Sequence, residues 1–380
     1  MIEIRKVEDQ KGLKDFVQFH YDLYRDCKWA VPFLFSAEMN TLRSDKNTAF
    51  ECCEADYFLA YKNGRTVGRV AAIINHRANE RWGRRQVRFG WLDFIDDSEV
   101  SKALIDTVSQ WGRERGMTEI VGPLGFTDMD REGLLIEGFE EDATMYVNYN
   151  YPYYQQHIET MGGFVKDNDY MEYKVKVPEV VPDKFQKLAE MVKQRYNLRV
   201  KKFTRKELLD GHKGREIFDI LNATYNDLYG FSQLSERQIT QLVDEYIKMA
   251  DLNLVTAIED WNTPTHKMVG FGITFPSFTA ALRKTRDGRM LPFGWWYLLR
   301  TLKWHKTKVV DLLLIGVLPE YRQKGANALI FDDLIQWFQR YRFEYAEAMQ
   351  QMETNDGVRS QWQYLESRIH RRHRCYRKLL

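Results

Sequence analysis

The residues best arranged for chemistry lie in GVLPEYRQKGANALIF, from Gly316 to Phe331. An apolar, strand-like run ends at a proline, passes through a basic turn and opens a helical pattern. A helix start aims several backbone N–H groups at one spot and adds a favourable dipole, which is what a diphosphate needs. Gly325 lets the backbone approach closely because it has no Cβ. Arg322 and Lys324 add positive charge where phosphates would lie. Gly316, inside the strand, reads as a bulge that splays this strand from its neighbour. N–H and C=O groups freed by such a splay would pair with an amide-rich ligand arm as with an added strand. The competing reading is an ordinary strand-to-helix turn.

Positioning such a turn requires a sheet with helices packed on it, and the surrounding pattern supplies both. The sequence predicts an α/β chain (α+β, with mixed sheets flanked by helices) in two domains, 1–177 and 178–380. They divide in KVKVPEVVPD, where Pro178 and Pro182 discourage continued helix or central strand. In the first half, YFLAYKNGRTVGRVAAIIN pairs two strands across Asn63-Gly64, a hairpin signal. VRFGWLDFI follows as a strand, and Ala103, Leu104, Val108 and Trp111 then keep helical spacing up to Gly116, a C-terminal stop. In the second half, Ser235 and Gln238 form a capping box ahead of an amphipathic stripe. LNLVTAIED and HKMVGFGITF read as a hairpin, VVDLLLIGVL as a strand buried on both faces, and FEYAEAMQQM as the strand after the helix. The order repeats loosely between halves, as in an internal duplication.

Length and composition bound the answer. A chain of 380 residues exceeds one ordinary core. Apolar residues at 44% and charged residues at 29% are usual for a soluble globular protein, and 14% aromatics suggest large buried faces or a roomy apolar pocket. A net charge of +2 argues against a general polyanion binder. Four cysteines without CxxC spacing read as reduced thiols of a cytoplasmic protein. No histidine pair has metal-ligand spacing, so no metal is expected. The N-terminus has no apolar signal region, and no run approaches a membrane span.

The Gly316–Phe331 stretch resembles motif A of the GNAT superfamily of N-acetyltransferases: a hydrophobic strand, Val-x-Pro-x-x-Arg, then a glycine-bearing turn opening a helix. Val317, Pro319, Arg322 and Gly325 match, while Asn327 stands where the family has a small residue. The resemblance implies a transferase that uses acetyl-CoA or another acyl-CoA as substrate. It implies that backbone from Arg322 through Gln323, Lys324, Gly325, Ala326 and Asn327 meets the pyrophosphate, and that Val317 and Leu318 meet the pantetheine or thioester. In METNDGVRSQWQYLE it implies Glu353 as general base, Asn355 beside the pantetheine and Tyr364 as general acid. NYPYYQQHIETMGGF resembles the family's closing helix, but FIDDSEV, at the matching turn of the first half, carries Asp96, Asp97 and Glu99, which repel phosphates. The chain is thus similar to a tandem GNAT protein with a degenerate N-terminal half, as in N-myristoyltransferases and Fem-type peptidyltransferases. The expected function is acyl transfer, most simply acetyl transfer, to a small-molecule or peptide amine. A non-catalytic coenzyme-binding protein and a membrane-surface or nucleic-acid binder are the rivals.

Two further segments bear on those rivals. RIHRRHRCYRK, from Arg368 to Lys378, reads as the outward face of the last strand, with a phosphate patch or RNA contact as alternatives and no recognised RNA module. MLPFGWWYLLRTLKWHK combines Trp295, Trp296, Leu298, Leu299, Leu302 and Trp304 with Arg300, Lys303 and Lys306. It reads as core packing between domains, or as a segment that rests on a membrane or lines an acyl-chain tunnel.

Overall fold

The computed structural model describes residues 1–209, 213–226, 228 and 230–380. Asn63 and Gly64 both adopt left-handed backbone, φ 53° and 75°, as a tight two-residue hairpin turn demands. They join β2 (Cys53–Lys62) to β3 (Arg65–Asn75). β1 (Ile2–Lys6) adds to the free edge of β2, β4 (Gln86–Phe94) pairs antiparallel with β3, and β5 (Glu119–Gly122) runs parallel to β4. The helix Ser98–Glu114 makes the β4-to-β5 crossover and buries Val100, Leu104, Val108 and Trp111. A short strand, β6 (Leu134–Glu137), and a long one, β7 (Val165–Lys176), complete this part of the chain.

The second half repeats this pairing strand for strand. β8 (Leu198–Lys201), β9 (Val255–Asp260), β10 (Lys267–Pro276) and β11 (Val309–Val317) are successively antiparallel, and β12 (Tyr345–Met352) runs parallel to β11. The capping box at Ser235 and Gln238 is present at the head of the helix Glu236–Met249. The helix Asn327–Arg340 is the β11-to-β12 crossover, and it buries Leu329, Ile330, Leu334 and Ile335.

The final strands exchange partners. β13 (Ser367–Leu379), at the end of the second half, pairs antiparallel with β5, while β7, at the end of the first, pairs antiparallel with β12. β7 and β13 pair with each other, so the strand order is β1-β2-β3-β4-β5-β13-β7-β12-β11-β10-β9-β8, with β6 on β13. One continuous mixed sheet flanked by helices results.

This exchange overturns the outward reading of Arg368–Lys378. The basic run is the centre of the sheet: His370, Arg371, His373, Cys375 and Tyr376 are buried, Arg371 to 1% exposure. An unpaired cation there would be intolerable, and β7 supplies the acids. Arg371 contacts Glu172 at 2.7 Å and Arg374 contacts Asp169 at 2.7 Å. Burial alone would raise the Glu172 carboxyl, but Arg371 and His373 outweigh it and hold it down at about 2.

Candidate active site

In each half the parallel pair separates after a few residues. β4 and β5 pair only over Gln86–Arg88 with Glu119–Val121. β11 and β12 pair only over Val309–Leu312 with Tyr345–Ala348. Beyond those points the strands splay, and the two halves treat the opening differently.

The first half closes its splay with its own chain. Leu124 N–H donates to Phe89 O at 3.0 Å, using the strand hydrogen bond that a ligand arm would need. A Cβ on Gly90 would sit 2.5 Å from Leu124 O, so only glycine permits this approach. Behind it Asp93 is buried against Arg69 at 2.7 Å and His20 Nδ1 at 3.0 Å. At the following turn Asp97 caps the helix and binds Lys62 at 2.6 Å. An anion approaching here would meet carboxylates and already bonded amides.

The second half leaves its splay open. Between β11 and β12 lies a cavity of about 150 Å³, walled by Leu312 to Ile315, Gly272, Ile330, Leu334, Ala348, Met349 and Trp362, among others. The opening explains why β11 is less buried than expected: Leu312, Leu313, Leu314 and Ile315 are only half-buried because one side faces the cavity. The bulge that bends β11 is at Leu313, not at Gly316, since pairing jumps from Ile273–Leu314 to Thr274–Leu312. Gly316 has a packing role instead: a Cβ there would lie 2.8 Å from the Phe271 ring.

The strand leads into the turn Leu318–Asn327. Gly325 has φ 81°, the left-handed conformation that glycine accepts. No side chain caps the helix that starts at Asn327, in contrast to Asp97 in the first half. Lys324 N–H and Gly325 N–H bond within the turn to Tyr321 O and Arg322 O. The Arg322 guanidinium ties the turn to its strand, donating from Nε to Val317 O at 2.9 Å and from Nη2 to Thr224 O at 3.3 Å. Lys324 lies over the Tyr321 ring at 4.1 Å. Gln323 is exposed, whereas Val317, Leu318 and Ala326 are buried.

Of the residues expected from the C-terminal stretch, Asn355 reaches the cavity wall. Glu353 and Tyr364 are not among the lining residues. Glu353 pairs with Lys166 at 2.6 Å, and Tyr364 is exposed with Lys184 over its ring at 3.4 Å. Trp295, Trp296 and Trp304 neither line the cavity nor enter the core; all three are exposed.

The carboxylates that do face the cavity come from the first half. After closing its own splay at Leu124, the chain continues as GFTDMDREG and brings Asp128 and Glu132 to the cavity wall, beside Tyr170 of β7. Both are half-buried. Burial pushes the Glu132 carboxyl up to about 8, reinforced by Asp128. Burial likewise raises Asp128 to about 7, and Asp128 Oδ1 has no hydrogen-bond partner. Two such carboxyls can take or give a proton near neutral pH. The acids of a glycine-bounded loop gave no sign in sequence of facing a cavity in the other half. Among the described residues no group of three His, Cys, Asp or Glu is placed to hold a metal ion.

The fold as a whole is matched among known structures. A tandem GNAT protein from the clavulanic acid biosynthesis pathway superposes with a TM-score of 0.57 at 11% identity, covering 100% of this chain and 98% of that one. This chain has the tandem GNAT fold. At 11% identity the match speaks for the fold alone. No family model matches the chain. Among curated proteins, Protein YghO of Escherichia coli K12 is 27% identical over 380 residues, covering 99% of this chain and 95% of that protein. A protein named bacterial ceramide synthase, from Caulobacter vibrioides, is 27% identical over 340 residues, covering 85% and 83%. Within the tandem GNAT fold described here, the open splay of the second half and the closed one of the first are the features that set the halves apart.

Proposed function

We propose that this protein is an N-acyltransferase that moves an acyl group from an acyl-CoA to an amine. The observation that carries the proposal is the open splay between β11 and β12, an apolar cavity with the Val317–Asn327 turn at the end of its strand and two carboxyls on its wall. On this reading Val317 and Leu318 meet the pantetheine, Arg322 to Asn327 the pyrophosphate, and Asn355 the arm near the thioester. Arg322 acts through its contacts to Val317 O and Thr224 O, holding the turn in place rather than reaching the phosphates itself. Glu132, assisted by Asp128, replaces Glu353 as the base.

The reaction would run as follows. A substrate ammonium gives a proton to Glu132, and the free amine nitrogen attacks the thioester carbon. The C–N bond forms and the C–S bond breaks. Glu132 hands its proton to the departing thiolate, which leaves as the coenzyme thiol, and the restored carboxylate takes the second proton from the nitrogen and releases it to solvent. A carboxyl that titrates near 8 can accept from the ammonium and donate to the thiolate, so one group can serve both steps. The cavity's size argues for an acyl group longer than acetyl, since a void of about 150 Å³ accommodates a benzene-sized group. The Caulobacter relative's name agrees: a ceramide is a long-chain fatty amide, which points to a lipid-like amine as acceptor.

Native mass spectrometry of the purified protein tests for a bound coenzyme. A thiol-release assay with acetyl, hexanoyl and palmitoyl coenzyme A, with and without a long-chain amino alcohol, tests turnover. Amine-dependent thiol release, faster for hexanoyl than acetyl, is expected. Binding without release across an amine panel would favour the non-catalytic reading, and absence of binding would overturn both.

A further inference from the structure

The helix Gly294–Trp304 and the turn before it stand apart from the cavity and from every role given above. The helix buries only Gly294 and Thr301, with Leu298 and Leu302 half-covered against the core. Its opposite side carries large apolar groups in the open. Leu291 is 76% exposed, Phe293 66%, Trp304 46%, Trp295 45% and Trp296 41%. The three tryptophans touch: Trp295 to Trp296 at 5.9 Å between ring centroids, and Trp296 to Trp304 at 5.7 Å. They therefore form one patch rather than scattered exposed residues, and such patches mark interaction sites.

Charge identifies the partner. Residues 279–308 hold eight Lys or Arg against one acid, in a chain whose net charge is only +2. Some of these cations are used internally: Arg283 binds Asp142 at 2.8 Å and Lys308 binds Glu344 at 2.6 Å. Among the described residues, no ion pair reaches Lys284, Arg286, Arg300, Lys303 or Lys306. Tryptophans beside the unpaired Arg300 and Lys303 on one short helix suit the headgroup layer of a membrane, where the rings enter the acyl boundary and the cations meet phosphates. A second copy of this chain would bring the same unpaired positive charge against itself. No helix among the described residues is long and apolar enough to cross a membrane.

We infer that the Leu291–Trp304 face docks this protein on the surface of a membrane bearing anionic lipids. The inference does not depend on acyl transfer. Each Lys or Arg near an anionic surface contributes roughly fivefold in partitioning. Full-length protein is tested by co-sedimentation with vesicles of phosphatidylcholine alone and of phosphatidylcholine mixed with phosphatidylglycerol. Binding to the mixed vesicles with a blue shift of tryptophan emission is expected, weakening as salt rises. Arg300→Glu with Lys303→Glu should lower the partition constant at least about twentyfold, on the same per-residue factor. Phe293→Ser with Trp296→Ser should abolish the blue shift. All four side chains are exposed, so the melting temperature should hold in both variants. Failure of the wild type to pellet with mixed vesicles would overturn the inference, as would equal pelleting by both variants. A solution dimer dissociated by the Phe293/Trp296 variant, without vesicle binding, would assign the patch to a second copy instead, and salt-sensitive binding to single-stranded RNA alone would assign it to nucleic acid.

Discussion

Glu132→Gln tests the cavity carboxyl through both stability and rate. The wild-type side chain sits at about 8 in the folded protein, against an ordinary value of 4.5. A displacement of that size corresponds to about 5 kcal/mol, at about 1.36 kcal/mol per pKa unit. Because the group is half-buried against a cavity, water there will screen part of this, and about 2 kcal/mol is a reasonable expectation. The sign follows from the raised value. Below pH 4.5 the carboxyl is neutral in both folded and unfolded chains and carries no ionisation penalty. As pH climbs toward 8 the unfolded chain ionises while the folded chain resists, so the wild type loses stability through that window. Glutamine keeps the shape without the charge. Urea midpoints of variant and wild type should therefore coincide near pH 4.5 and separate in the variant's favour above pH 8. With a slope of about 3 kcal/mol per molar urea the separation is about 0.7 M. The same variant should lose roughly 10²-fold or more in kcat with little change in KM, the usual scale for a general base. Parallel pH–stability curves for the two proteins would refute the assignment of a raised carboxyl at this position, whatever the activity showed.

Two more substitutions probe the cavity and the turn. Leu313→Trp adds bulk at the half-buried bulge residue that faces the cavity; hexanoyl transfer should fall at least about tenfold in kcat/KM while acetyl transfer changes less, following steric loss of the acyl pocket. Equal losses for both donors would place the acyl group elsewhere. Lys324→Glu reverses a charge at the turn without touching Gly325, and should raise the KM for acyl-CoA about five- to tenfold with the melting temperature unchanged, on the scale of a lost charge contact. An unchanged KM would remove Lys324 from the phosphate site. Gly325 itself is a poorer probe: besides its φ of 81°, a Cβ there would lie 3.2 Å from Leu188 of the helix Asp183–Tyr196, so a bulky substitution strains the fold as well as the turn.

Much of the architecture was legible because local chemistry decides it. Asn63-Gly64 turned the first hairpin, Ser235 and Gln238 started their helix, and FEYAEAMQQM became β12 despite its helix formers, because it lies in the sheet between β7 and β11. Strand partnership was not legible in this way. Arg368–Lys378 alone resembles a solvated charge run, and its burial depends on acids some two hundred positions earlier in β7. Yet the signal was present: VKDNDYMEYK pairs Asp167, Asp169 and Glu172 with Arg377, Arg374 and Arg371, and reading the two strands as a charge-matched pair would have found the sheet's centre.

The same non-local pairing explains why the site was only half visible. The turn Leu318–Asn327 is contiguous in sequence, so its residue types announce it. The cavity wall opposite is built from the first half's loop, and nothing in GFTDMDREG separates buried acids from solvated ones. What places them is the exchange of β7 and β13. With β7 against β12, Tyr170 stands beside Met352 in the sheet, and the loop that closes the first half's splay reaches the second half's opening. One splay is thus filled by the chain while the other stays open with the filled half's acids on its wall. The half whose splay is closed by its own chain thereby contributes Asp128 and Glu132 to the cavity wall of the open half.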